Sequence, residues 1–209
     1  MKILIADDHT VVREGLRQIT SSLVEIKNVD EAIDGDDAWI KIREGNYDLV
    51  ILDIAMPGTN GLDVLKKIRD NNIKTHVLIL SMYPQEQYAV RAFNLGASGY
   101  VSKDSAYEEL ALAIKKISSG GKFISSAFAE KLIFDHTGSD IQKPHEKLSE
   151  REFQVMIKLA SGKPIIDIAK DLFISDKTVS TYRTRILEKM GLRNNAEITL
   201  YAVRNNLIG

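Results

Sequence analysis

The sequence predicts an α/β domain built on a five-stranded parallel sheet, followed by a small all-α domain. Three observations predict it. From residue 2 to residue 119, short apolar runs alternate five times with stretches of helical periodicity, the pattern of βαβ units whose strands are buried on both faces. From residue 147 onward only helical periodicity remains. Between the two lies a polar run, from Asp135 to Pro144, with the composition of a linker. At 209 residues the chain has room for two domains. The expected division is residues 1–120, a linker with a short helix over 121–146, and residues 147–209.

The strands are expected at Lys2–Ala6, Asn28–Ala32, Leu49–Leu52, His76–Ser81 and Gly99–Val101, the second being the least apolar. Amphipathic stretches near Val11–Ser22, Asp36–Gly45, Gly61–Asn71, Gln85–Leu95 and Ala106–Ser119 supply the helices. Gly120-Gly121 breaks the last of them, and Ser125–Phe134 reads as a short amphipathic piece. In the second domain Ser149 and Glu152 have capping-box spacing, which opens a helix. Gly162 and Pro164 end that helix and start the next, whose apolar face is Ile165, Ile168, Ala169 and Leu172. After the tight connection Phe173-Ile174-Ser175, Ser175 caps a helix running from Asp176 to about Met190, and Gly191 stops it. A last helix is expected over Asn195–Asn205.

The chain has no cysteine, so it has neither a disulfide framework nor a thiolate metal site. No apolar run approaches the roughly 18 residues of a membrane span, and Asp7 and Asp8 interrupt the apolar N-terminus too early for a signal peptide. Composition therefore points to a soluble protein of the reducing cytoplasm, with no membrane partner. Net charge is -1, but residues 1–120 hold 14 basic against 18 acidic residues and residues 147–209 hold 11 against 7. This polarity suits a cation-binding front and an anion-binding back.

The chemistry gathers at strand ends. Asp7 and Asp8 follow the first strand, Asp53 the third, Ser81 ends the fourth and Lys103 follows the fifth. In a parallel sheet these positions share one edge, where α/β proteins carry their sites. Carboxylates that close repel unless a cation joins them, and oxygen ligands suit Mg²⁺. A hydroxyl and an ammonium facing a metal-bound aspartate are suited to holding phosphoryl oxygens, and Asp53 would be the nucleophile that forms an acyl phosphate. One aspartate at a strand end is most simply a helix cap; five polar residues at the same end of four strands are not. His9 is read as a solvent-facing or helix-start residue, and His76, His136 and His145 show no ligand spacing.

Asp7-Asp8, Asp53 followed by Met56-Pro57-Gly58 and Gly61, Ser81, and Gly96-Ala97-Ser98-Gly99-Tyr100 leading to Lys103 resemble the flavodoxin-like (CheY-like) receiver domain of two-component response regulators, over about residues 1–120. The resemblance implies Asp53 as phosphoacceptor, with Mg²⁺ held by Asp8, Asp53 and the Ala55 backbone carbonyl and Asp7 acting indirectly. It implies Ser81 and Lys103 as phosphoryl contacts, and Tyr100 as an aromatic that changes rotamer with Ser81. Two positions depart from the common pattern. Asp104 replaces a proline after the lysine, which leaves the Lys103-Asp104 peptide geometry open. Met82 replaces a small residue, and it is expected to cover the phosphoryl site partly and slow hydrolysis.

In the second domain, Ile165–Met190 reads as helix, short turn, helix. Val179, Tyr182 or Arg183, Ile186 and Met190 share the inward face of the second helix. Lys177, Ser180, Thr181 and Thr184 face outward to reach base edges, and Arg183, Arg185 and Lys189 flank them for phosphates. Serine and threonine discriminate bases weakly, so water, thymine methyls or DNA shape are expected to share the readout. Leu148-Ser149-Glu150-Arg151-Glu152, Ile168-Ala169, Ile174 through Tyr182, and Lys189-Met190-Gly191-Leu192 resemble the NarL/FixJ/LuxR-type DNA-binding domain, similar especially to its GacA/UvrY branch. That resemblance implies a phosphorylation-dependent transcription regulator rather than an enzyme. Its partners would be a histidine kinase and double-stranded DNA, bound as a homodimer through Ala196, Thr199, Leu200 and Val203 of the last helix. Two other classes fit the sequence less well: a Mg²⁺-dependent phosphohydrolase using Asp53, for which no insertion supplies an acid–base residue, and an RNA-binding output, for which the recognition helix offers only Tyr182 as a stacking ring.

Overall fold

The computed structural model describes residues 1–23, 26–83, 85–126, 128–129 and 143–208, with the side chains of 85–87 also left aside. The chain divides into two compact units, Met1–Thr137 and Gly138–Gly209. The remainder of the expected Ser125–Phe134 piece and most of the Asp135–Pro144 run lie outside the described residues.

The first unit is a parallel sheet in the order β2-β1-β3-β4-β5. Its strands are β1 Lys2–Ala6, β2 Asn28–Ala32, β3 Leu49–Asp53, β4 His76–Ser81 and β5 Gly99–Ser102. The helices α1 Thr10–Ser21, α2 Gly35–Glu44, α3 Gly61–Asp70, α4 Gln85–Asn94 and α5 Ala106–Ser118 follow them in turn. Alternation along the strands builds two apolar layers. Ile3, Ile5, Ile51, Leu80 and Val101 are buried against Leu16 of α1 and Leu110, Ile114 and Ile117 of α5. Leu4, Val50, Leu52, Val77 and Ile79, on the other pleat, are fully buried as well. β2 is the weak strand of the sequence because it is an edge, with its middle residues only half-buried.

Strand order reverses between β1 and β3, where Ala6 lies opposite Leu52. The carboxyl ends of these two strands therefore open on the crevice where doubly wound sheets bind ligands. Gly61 is required beside this crevice, because a Cβ there would strike the Asp53 carbonyl oxygen. Beyond α5 the chain returns to β5: the Phe123 amide donates to the Ser98 carbonyl at 2.9 Å, and the Phe123 ring joins the core. Residues 121–123, which by sequence alone fall in the linker, thus pack with the sheet.

The second unit contains α6 Glu150–Ala160, α7 Ile165–Asp171, α8 Asp176–Met190 and α9 Asn195–Arg204. The capping box is present in both directions: the Ser149 amide donates to Glu152 Oε2 at 2.8 Å, and the Glu152 amide donates to Ser149 Oγ. Ser175 caps α8, and Gly191 closes it in the left-handed region at φ 67°. Phe153, Met156, Ile168, Leu172, Val179, Ile186, Ile198 and Ala202 are buried and form the core. α7, the turn Leu172–Ser175 and α8 make a helix-turn-helix.

Candidate phosphoacceptor pocket and nucleic-acid face

Asp7 and Asp53 are 1% and 2% exposed, although both are acids. Burial on this scale requires a counter-charge, and Lys103 supplies it. Its Nζ lies 2.7 Å from Asp7 Oδ2 and 2.8 Å from Asp53 Oδ2. Burial pushes the Asp53 carboxyl above the ordinary carboxylate range, opposed by the Lys103 charge and reinforced by Asp7. Burial works against the Lys103 ammonium too, but Asp53 and Asp7 outweigh it and hold its pKa above the usual lysine value. Asp53 Oδ1 is buried and has no hydrogen-bond partner.

His9 does more than start α1. It stands at the N-cap, two-thirds exposed, with Nδ1 2.9 Å from Asp8 Oδ1 and 3.3 Å from Asp7 Oδ1. One ligand atom from each of Asp7, Asp8, His9 and Asp53 falls within 4.8 Å of the others. Three carboxylates against one ammonium leave two negative charges uncompensated. That surplus and the orphaned Asp53 Oδ1 fit a divalent cation.

Three contributors escaped sequence reasoning because each acts through backbone atoms. The buried Arg13 guanidinium donates to the Asp7 carbonyl at 2.9 Å and to Glu31 Oε2 at 3.1 Å, which fixes the loop carrying the acidic pair. Asn60, fully buried, caps α3, the helix that follows the Asp53 loop, by accepting from the Asp63 amide. Tyr83 joins the two expected switch residues. Its amide donates to Ser81 Oγ at 3.1 Å, and its carbonyl accepts from Tyr100 Oη at 2.8 Å. Ser81 and Tyr100 are both fully buried. Met82 is 64% exposed and is not packed as a cover over the pocket. The Lys103-Asp104 peptide is trans and opens a short 3₁₀ turn over Lys103–Ser105.

In the second unit, Lys177, Ser180, Thr181, Thr184 and Arg185 form an exposed face of α8, while Val179, Ile186 and Met190 are buried. Arg183 Nε donates to Asn195 Oδ1 at 2.6 Å. Lys189 departs from its expected role: its ammonium sits 2.6 Å from the buried Glu152 carboxylate and ties α8 to α6. Charge alone, read along the chain, could not distinguish this tie from a phosphate contact. On α9, Leu200 and Val203 are each half exposed, whereas Ile198 and Ala202 point into the core.

A doubly wound sheet with acids at its switch point, followed in the same chain by a helix-turn-helix bundle, defines a class: a receiver joined to a DNA-binding output. Comparison with known proteins gives the same division. The family model for the response regulator receiver domain matches residues 3–115, and that for bacterial regulatory proteins of the luxR family matches residues 146–202. The response regulator UvrY of Escherichia coli is 33% identical over 99% of this chain and 95% of its own. The oxygen regulatory protein NreC of Staphylococcus haemolyticus is 35% identical over all of this chain and 99% of its own. RcsB of Salmonella enterica, in a structure bound to the rprA promoter with the phosphomimetic BeF₃⁻, covers 96% of this chain and 98% of its own at 25% identity and a TM-score of 0.65. The chain belongs to the two-component response regulators with a LuxR-type helix-turn-helix domain.

Proposed function

We propose that this protein is a cytoplasmic, phosphorylation-switched transcription factor in which Asp53 is the phosphoacceptor and α8 reads duplex DNA. The observation that carries the reading is the place of Asp53 at the end of β3: one oxygen is held by Lys103, and the carboxylate is buried within the cluster formed with Asp7, Asp8 and His9. A carboxylate held by an ammonium at a site that fits a divalent cation can act as the nucleophile toward a phosphoryl group whose charge those cations offset.

Asp53 attacks the phosphorus of a phosphohistidine on a partner histidine kinase, or of a small phosphodonor. The bond from phosphorus to the donor atom breaks as the acyl phosphate forms, and the leaving group takes up a proton. Mg²⁺, with Asp8, Asp53 and the Ala55 carbonyl as ligands and Asp7 acting indirectly, would neutralise charge on the phosphoryl oxygens. Lys103 and the Ser81 hydroxyl bind those oxygens. Because Ser81 Oγ accepts from the Tyr83 amide in this state, its move to the phosphoryl group releases that amide, and Tyr100 loses or shifts its bond to the same residue. The receiver itself promotes phosphoryl transfer and later hydrolysis, with no external substrate turned over. In the output unit Lys177, Ser180, Thr181 and Thr184 approach base edges and Arg183 and Arg185 approach phosphates. The half-exposed Leu200 and Val203, with Ala196, pair two copies on two half-sites, which multiplies affinity through effective concentration.

The test is selection and sequencing of genomic fragments bound by the full chain after treatment with Mg²⁺ and a phosphodonor, with Asp53→Asn treated in parallel. The expected result is enrichment of a paired half-site that weakens in the variant, together with a hydroxylamine-labile phosphoryl mass that the variant lacks. Equal enrichment in both proteins would refute the switch.

A further inference from the structure

The outward face of α8 has already engaged its own hydroxyl protons. Ser180 Oγ donates to the Asp176 carbonyl at 3.0 Å, Thr181 Oγ1 to the Lys177 carbonyl at 3.0 Å and Thr184 Oγ1 to the Ser180 carbonyl at 3.2 Å. Each bond runs four residues back along the helix, the usual intrahelical partner of a serine or threonine. A hydroxyl whose proton is held this way still offers oxygen lone pairs. The three residues therefore present acceptors to a ligand, and the two threonines add a methyl group each. Lys177, one turn earlier and exposed, brings donors only.

The major groove presents a different edge for each base pair. Guanine shows two acceptors, N7 and O6, which repel a hydroxyl oxygen but suit an ammonium. Adenine shows the N6 amino group, which a hydroxyl oxygen accepts. Thymine shows its 5-methyl group, which packs against a threonine methyl. Cytosine offers an amino group but no methyl. An A·T pair is thus the one pair that satisfies both features of this face at once.

We infer that Ser180, Thr181 and Thr184 select A·T pairs, through thymine 5-methyl groups and adenine amino groups, and that Lys177 places a guanine beside them at the N-terminal end of the recognition helix. The inference rests on the duplex-DNA reading above and adds to it the chemistry of the half-site. It also accounts for the absence of arginine or asparagine from the central positions of the face: methyl contact and acceptor oxygens do the sorting.

The experiment uses the full chain with Mg²⁺ and a phosphodonor, and a fluorescent duplex carrying the half-sites it selects from random DNA. The duplex is made with thymidine or with deoxyuridine, which lacks only the 5-methyl. The expected sites contain A·T pairs next to a guanine. Uracil weakens binding about fourfold for each methyl contacted, the factor that burying one methyl-sized group implies. Thr181→Ser with Thr184→Ser keeps both hydroxyls and removes both methyls. This variant should bind the thymine duplex as weakly as the parent binds the uracil duplex, and should no longer distinguish the two. Equal affinity of the parent for both duplexes, or selected sites in which G·C pairs occupy the core of the half-site, would overturn the inference while salt-dependent duplex binding persists. Loss of all duplex binding would overturn the DNA reading and this inference together.

Discussion

At the scale of single residues, the pocket is a balance among charges that would separate without their partners. Among the described residues Lys103 is the one lysine or arginine within ion-pairing distance of Asp7 and Asp53, and its ammonium bridges the two. Replacing it by methionine leaves buried carboxylates facing one another. Lys103→Met should cost the receiver about 3 kcal/mol in metal-free buffer, and Mg²⁺ should restore part of that loss; urea unfolding with and without the metal measures both. A second residue-scale case is Phe173. It follows α7 at φ 54°, with its amide on the Lys170 carbonyl and the next amide on the Ala169 carbonyl. That arrangement is a Schellman closure, which favours glycine or asparagine at the left-handed position. The ring gains little in return, being 57% exposed. Phe173→Gly should therefore raise the stability of the output unit by about 1 kcal/mol, read as a higher urea midpoint at unchanged slope.

At the scale of elements, α6 and α8 are joined through one buried acid. Glu152 closes the capping box of α6 and also binds Lys189 of α8. Burial raises its pKa, but the Lys189 bond and the Ser149 bonds outweigh that and hold the carboxyl below the ordinary glutamate range. A depressed pKa in the folded state stabilises the fold above the ordinary value, and the contribution is lost as the pH falls through and below it. Acid unfolding of the output unit should thus steepen below the glutamate range. Glu152→Gln should flatten that dependence and cost about 1–2 kcal/mol at neutral pH; unfolding midpoints across a pH series check both. The elements also show what a sequence can disclose. Four strands announced themselves as apolar runs because both of their faces are buried. Asn28–Ala32 was faint because an edge strand can carry Asp30 and Glu31. Asp7, Asp53 and Lys103 were legible because strand ends in a parallel sheet share one edge. Arg13, Asn60 and Tyr83 were not, since a guanidinium on a carbonyl, a helix cap and a residue held at both its amide and its carbonyl leave no periodic trace. The Lys189 role was hidden for a related reason, its partner lying 37 positions away.

At the scale of the molecule, the two units should report separately on ligands. The single tryptophan, Trp39, belongs to α2 of the receiver. Its fluorescence therefore follows that unit alone, while helical circular dichroism follows both. A cation that binds only the folded pocket stabilises only that unit. Mg²⁺ should raise the fluorescence midpoint and leave unmoved the part of the dichroism transition that belongs to α6–α9. A shift of both components by the same amount would mean that the units unfold as one.

The return of the chain along β5 has a consequence for crowding as well as for folding. An uncovered sheet edge is a template on which another copy can polymerise. Phe123 occupies part of the β5 margin, with its amide on the Ser98 carbonyl and its own carbonyl accepting from the Tyr100 amide. The opposite margin, β2, carries Asp30 and Glu31 side by side, and Asp30 is held below its ordinary pKa by its bonds to Tyr47 and Lys2. Both acids are engaged by neighbouring cations, Lys2 on Asp30 and Arg13 and Arg17 on Glu31, so a second copy pairing there would have to accommodate this charged, hydrogen-bonded fringe. Main chain covers part of one margin and a charged fringe lines the other, so strand-to-strand pairing between copies is disfavoured at both ends of the sheet.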